Sequence, residues 1–458
     1  MKTYLIRLFI FIFLLTSCTP APLSTPPSVV DNTQTPVVAT SAITTLTVIP
    51  SPTVAVTPKI STPTFISAPL PDDLVVAYVV EDALWLWTQN GSQILAQQKN
   101  IYRPAFSEDG QWILFRQRYT SLDGIAPTFD ELWTVRTDGS EIKRLVGSDD
   151  LMALTGKNVL IDYFGWLSGH RKILFNTEEI IEGPPGSMPL FDLYSVDLAG
   201  QITQLLGQGD AGRFTPSPNG MHIALATGSR IKVFDLESGK QQTLLEFEPV
   251  GIPIDGGPPA PKVVWDPDSQ YVITSILPQY LYYPEKYAGE PEQVWRLFLN
   301  GEVELVAQLQ PVSQNHAGIS ISPNRQYFFY LNGYCPDAMG VLYVRSLTSS
   351  KEHPLTCVWN LPRWLPDSEH YIYNLGLWQL GNIHSNAIQP LDILNASSGL
   401  DVDASSQGWI DDNYFLLILR SSDTCALYIS TLQGIVTEIT RTPPDKCPRE
   451  INFSFLKQ

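Results

Sequence analysis

The sequence is short of charge. Asp, Glu, Lys and Arg make up 16% of the chain, and the balance is acidic, 46 acids against 29 bases for a net charge of −17. Such a chain has no basic surface with which to displace counterions from phosphates, which excludes nucleic acid as a partner and argues equally against peripheral attachment to anionic lipid. Catalytic and metal-binding signatures are missing too. The six histidines (His170, His222, His316, His353, His370 and His384) have no HExxH or other ligand spacing, and no CxxC pair accompanies the five cysteines. There is no GxSxG nucleophile elbow and no glycine-rich phosphate loop. The residues therefore offer no catalytic group, no metal site and no cofactor site. Nor is any apolar run long enough to cross a bilayer, which takes about 20 residues; Leu8 to Leu15, "LFIFIFLL", is far shorter.

What is present begins with that run. Lys2 and Arg7 precede it and "LTSC" follows, ending at Cys18. Small residues directly before a cysteine, after a short apolar stretch, resemble the bacterial lipoprotein signal. The resemblance implies that residues 1–18 carry the export signal, that cleavage falls before Cys18, and that Cys18 is diacylated. Two acyl chains suffice for stable anchoring to a lipid bilayer, so the chain is expected in the bacterial cell envelope, on the extracytoplasmic side of the membrane. Residues 19–72 are dominated by Pro, Thr, Ser, Val, Ala and Ile, as in "TPPSVVDNTQTPVV". That composition has no core-forming period and reads as a disordered tether, reaching on the order of 150 Å if extended at about 3.1 Å per residue.

From residue 73 to 458 one pattern recurs. "RPAFSEDGQWILF" (103–115) is a short strand, a tight turn of Ser, Asp and Gly, and an apolar strand. Related segments lie at 164–175, 212–225, 262–274, 318–330, 362–373 and 408–419. A third strand follows each, at 132–140, 193–201, 231–240, 294–302, 342–350, 391–399 and 427–434. Gly and Asn in the following turns supply the positive φ that short hairpins require. Four antiparallel strands per unit make a β-propeller blade. "SEDGQWILF" and "PDSQYVI" resemble the WD40-like repeat of TolB-type propellers, found also in propellers of the prolyl oligopeptidase superfamily. The resemblance spans 74–458 and implies fold, not function.

Strands at 74–80, 84–91 and 92–98 form a blade without its innermost member, while "INFSFLKQ" is one strand left over at the carboxyl end. Ile451, Phe453 and Phe455 alternate with polar residues, the pattern of a half-buried strand. Pairing the two ends completes an all-β, eight-bladed ring and leaves no open edge. Seven blades is the alternative, if the weak unit around 376–405 is not a blade.

Beyond Cys18 the cysteines fall in two pairs of equal separation, Cys335 with Cys357 and Cys425 with Cys447, at equivalent places two blades apart. Export makes disulfides the expected reading. Turns after strands one and three are short throughout, and the long segments 117–131, 148–163, 176–191, 247–261 and 275–293 follow strands two and four, on one common face. Long loops on a rigid scaffold are where binding sits. The last carries Tyr280, Tyr282, Tyr283 and Tyr287, candidate platforms for a protein, peptide or glycan, while Glu178, Glu179, Glu182, Glu285, Glu290 and Glu292 tint the face negative. The expectation is a scaffold or receptor; the alternative is a hydrolase acting on carbohydrate or peptide at the funnel, through carboxylates that sequence alone does not bring together.

Overall fold

Each alternating apolar run becomes a short antiparallel strand, and the strands group four at a time into eight sheets, one of which carries an additional short strand. The computed structural model describes residues 69–456 apart from 121–126, 182–185, 250–259, 279–288, 311–317, 337, 392–400 and 404–407. Cys18 and residues 19–68 of the tether lie outside the described residues. Blades 2 to 8 occupy 101–146, 159–206, 213–246, 263–309, 320–358, 363–390 and 401–442 in chain order.

Blade 1 is assembled from both ends. Leu74–Val80, Ala83–Thr88 and Gly91–Gln97 supply three strands, and Arg449–Phe455 supplies the innermost. The closing strand runs antiparallel to the first of these, with Leu74 opposite Phe455 and Val76 opposite Phe453. Ile451, Phe453 and Phe455 pack with Leu74, Val76 and Tyr78 of their own sheet and with Leu416, Leu427 and Ile429 of blade 8. From the other side the first turn of blade 2 closes in. Gly110 has φ +68°, and a Cβ there would sit 2.8 Å from the Phe455 carbonyl oxygen, so this turn needs glycine both for its conformation and for its approach.

Neighbouring blades are stapled in alternation. Trp166, Trp265 and Trp364 end the first strands of blades 3, 5 and 7, and each donates its indole N–H to a first-strand carbonyl of the preceding blade: Ala105 at 2.8 Å, Thr215 at 2.9 Å and Ser320 at 3.0 Å. Blades 2, 4 and 6 instead place Ser107, Ser217 or Ser322 at the next position, whose hydroxyl accepts from the amide that starts the second strand. The repeat thus has a period of two blades, visible over blades 2 to 7.

The seventh blade corrects the sequence reading. Its third strand is Trp378–Asn382, not 391–399, and Ser385–Pro390 is its fourth. The glycine that weakens the pattern, Gly381, is there for packing: a Cβ would enter the ring of the buried Tyr371 directly across the ladder. Gly381→Ala is expected to cost about 1–3 kcal/mol by overpacking, read as a lower urea midpoint. Blade 8 differs as well, since its first strand is Asp401–Asp403 and the Trp409 segment makes only an isolated bridge to Phe415. There are eight blades, and the seven-blade alternative falls.

Both disulfides form as expected. Cys335–Cys357, with Cα atoms 6.1 Å apart, ties the loop after the second strand of blade 6 to the end of its fourth. Cys425–Cys447, at 5.2 Å, ties the start of the third strand of blade 8 to the segment leading into the closing strand.

Candidate functional site

The two faces of the ring differ, and the chain enters on the tighter one. The Leu70 and Pro71 carbonyls accept from Gln89 Nε2 at 3.1 and 3.0 Å, and the Pro69 carbonyl accepts from the Tyr414 hydroxyl at 2.8 Å. Gln89 and Tyr414 sit at turns between strands three and four of blade 1 and strands one and two of blade 8, so residue 69 leaves the ring on the short-turn face. The connections after strands two and four emerge on the other side.

On that side a cavity of about 470 Å³ opens between blades 5 and 6. Its apolar wall is built by Phe247, Val264, Ile276, Leu277, Ile319 and Ile321, and Thr274, Ser275 and Ser320 add hydroxyls. The size and the mostly apolar lining with a few polar groups suit a small ligand or a peptide side chain. Two cations complete the lining, Lys262 just before the first strand of blade 5 and Arg325 in the first turn of blade 6. The Arg325 guanidinium donates to the Trp265 carbonyl at 3.0 Å and the Ser322 carbonyl at 2.9 Å, and burial lowers its pKa.

Behind the wall lies Glu292, 2% exposed. Its carboxylate accepts from the Ser275 hydroxyl and from the Gly318 amide, clamping the strand ends of blades 5 and 6 together. Burial raises its pKa above the usual glutamate value, while those hydrogen bonds pull it down. A carboxyl whose folded pKa is raised binds its proton more tightly in the folded state. Its contribution is therefore complete below about pH 4.5 and is lost as pH rises through the folded pKa. Glu292→Gln keeps one acceptor and one donor and should flatten this dependence, so melting temperatures of mutant and wild type should diverge in the mutant's favour as pH is raised from 4 to 8.

The same face carries exposed apolar groups on blades 6 and 7. Tyr334 is 84% exposed beside the Cys335 disulfide, Trp359 follows the fourth strand of blade 6 at 47%, and Leu377 precedes the third strand of blade 7 at 55%. Blades 2 and 3 meet instead through ions. Asp130, fully buried, takes both nitrogens of a bidentate Arg118 at 2.8 Å and the Ile161 amide at 3.1 Å. Nearby Asp162 has its pKa raised by burial and then by Glu178.

Tyr280, Tyr282, Tyr283 and Tyr287 lie outside the described residues; the structure describes the stretches flanking them, Ser275 to Pro278 and Gly289 to Glu292. Three of the six glutamates expected to tint the face are paired or buried. Glu178 reaches Arg118 at 3.5 Å, Glu179 pairs with Lys157 at 2.7 Å, and Glu292 is buried. Glu182 and Glu285 lie outside the described residues. Among the described residues no cluster of His, Cys, Asp and Glu is placed to hold a metal ion. Lys262 and Arg325 escaped the sequence reading because only the packing of blades 5 and 6 brings them to one cavity, and Tyr334 and Trp359 because their exposure is not readable from residue type.

No protein-family model matches the chain, and no curated protein sequence matches it. Among solved structures it is similar to a dihydro-heme d1 dehydrogenase NirN in complex with DHE, with a TM-score of 0.50 and 14% identity over 87% of this chain and 77% of that one. A eukaryotic initiation factor gives a TM-score of 0.47 at 11% identity, covering 85% of this chain and 92% of that chain. Prolyl endopeptidase gives 0.46 at 9%, covering 78% of this chain and 50% of that one. The likeness to the dehydrogenase shows the propeller fold alone, and the other two carry no further weight.

Proposed function

We propose that the chain is a binding propeller, held in the bacterial cell envelope on the extracytoplasmic side of the membrane by a lipid on Cys18, that presents its long-loop face to a protein, peptide or glycan as a scaffold or receptor. The observation that carries the reading is the coincidence, on the face opposite the point where the tether joins, of the cavity between blades 5 and 6 and the exposed Tyr334, Trp359 and Leu377. Exposed apolar groups beside a cavity on one face of a rigid scaffold suit an interaction site. The TolB-type repeat resemblance fits such a role without naming the partner.

Crosslinking in intact cells tests this. Tyr334→Ala with Trp359→Ala should lose the partners recovered with the wild-type chain, as should replacement of 279–288 if the tyrosines there contribute. Equal recovery from all three would reject the long-loop face. In the same cells Cys18→Ser should move the protein from the membrane to the soluble fraction. The hydrolase reading rests on one observation, the carboxyl of Asp162 held above its usual range, a property that suits a general acid. Among the described residues no carboxylate lines the cavity, which favours binding over chemistry there.

A further inference from the structure

We infer that the cavity between blades 5 and 6 takes an apolar carboxylate, held between Lys262 and Arg325; this rests on reading that face as a binding surface. The first ground is charge. The chain carries 46 acids and 29 bases, and several of its half-buried arginines pair with carboxylates: Arg118 with Asp130, Arg296 with Glu304, Arg345 with Glu352. Lys262 and Arg325 line the cavity, and among the described residues neither has a carboxylate within ion-pair distance. The acids close by are already engaged. Glu292 is held by Ser275 and Gly318, and Asp266 accepts from the amides of Asp268, Gln270 and Tyr271 in its own turn.

The second ground is backbone. Arg325 has φ +59°, the conformation this repeat turn imposes also on Ser269 and Ser368 in blades 5 and 7 and on Gly110 and Gly220 in blades 2 and 4. The turn brings the guanidinium back along the first strand of blade 5 to the Trp265 carbonyl. Lys262 stands three residues earlier on the same chain segment, about 10 Å away at about 3.3 Å per residue, with Val264, Ile319 and Ile321 between. A cation at each end of an apolar trough selects an apolar body with an anionic group.

Such an acid has two sources, a free medium-chain fatty acid or a peptide ending in an apolar residue with its carboxylate free. Titration calorimetry on the full chain separates them, using decanoate, decan-1-ol, and an acetylated peptide ending in Ile-Leu as free acid or amide. At least one acid should bind saturably and at least tenfold tighter than its neutral counterpart, and the tighter of the two acids names the source. Lys262→Gln, a substitution at an exposed position, should weaken the acids at least fivefold, leave decan-1-ol unaffected and leave the melting temperature unchanged. Ile319→Trp, which fills the cavity, should abolish all binding. Neutral probes that bind as tightly as the acids, or acids indifferent to Lys262→Gln, would overturn the anionic inference while leaving the cavity as a binding site. If no probe binds, acid or neutral, the inference and the cavity as a binding site both fail, while the crosslinking result for Tyr334 and Trp359 stands separately.

Discussion

A chain ending at residue 448 yields no soluble, folded protein. Deleting 449–458 removes the innermost strand of blade 1, and with it the ladder to Leu74–Val80 and the packing of Ile451, Phe453 and Phe455 against blade 8. Fully burying side chains of that kind is worth about 1.5–3 kcal/mol each; these three are half-buried, so each contributes less, but the deletion also uncovers Leu74, Val76 and Tyr78, which are almost fully buried in the intact ring. Set against a typical total of about 5–15 kcal/mol, the sum is enough to unfold the domain, and the bared strand edge invites aggregation. Soluble yield and gel filtration of the truncated chain read this directly. A truncated protein melting at the wild-type temperature would contradict the closure.

The second large effect belongs to the bond between Cys425 and Cys447. It closes a 22-residue segment, for which the loop-entropy model gives about 3 kcal/mol, and Cys447 stands two residues before the closing strand, so the bond also holds that strand's approach against blade 8. Replacing both cysteines with serine should lower the urea midpoint by an amount equivalent to about 3 kcal/mol, with a similar loss for the Cys335–Cys357 pair. Reductant should reproduce both losses in the wild-type protein and have no further effect when all four cysteines are replaced. An unchanged midpoint after reduction would show that the bonds follow the fold without supporting it.

Most of the architecture was legible because blade strands are local. A turn such as "SEDGQ" with flanking apolar runs declares two strands within a dozen residues, and Ile451, Phe453 and Phe455 announce a strand with nothing nearby to pair with. Legibility failed where an intrinsic signal was traded for packing. Gly381 interrupts its strand so that Tyr371 can lie over it, and the sequence pattern accordingly points to a third strand of blade 7 too far along the chain. The face expected to bind was readable from loop lengths alone. The site on it was not, since Lys262, Ile319 and Arg325 meet only when blades 5 and 6 pack, and since Glu178 and Glu179, which colour the sequence acidic there, are paired, and Glu292 is buried.

Native-state amide hydrogen exchange tests the closed ring most directly. If the carboxyl-terminal strand belongs to blade 1, the amides of residues 451–455 that donate to Leu74–Val80 should open only with the whole domain, with the same protection as the amides of that strand. Exchange of 451–455 at the rate of an unstructured peptide, while Leu74–Val80 stays protected, would contradict it.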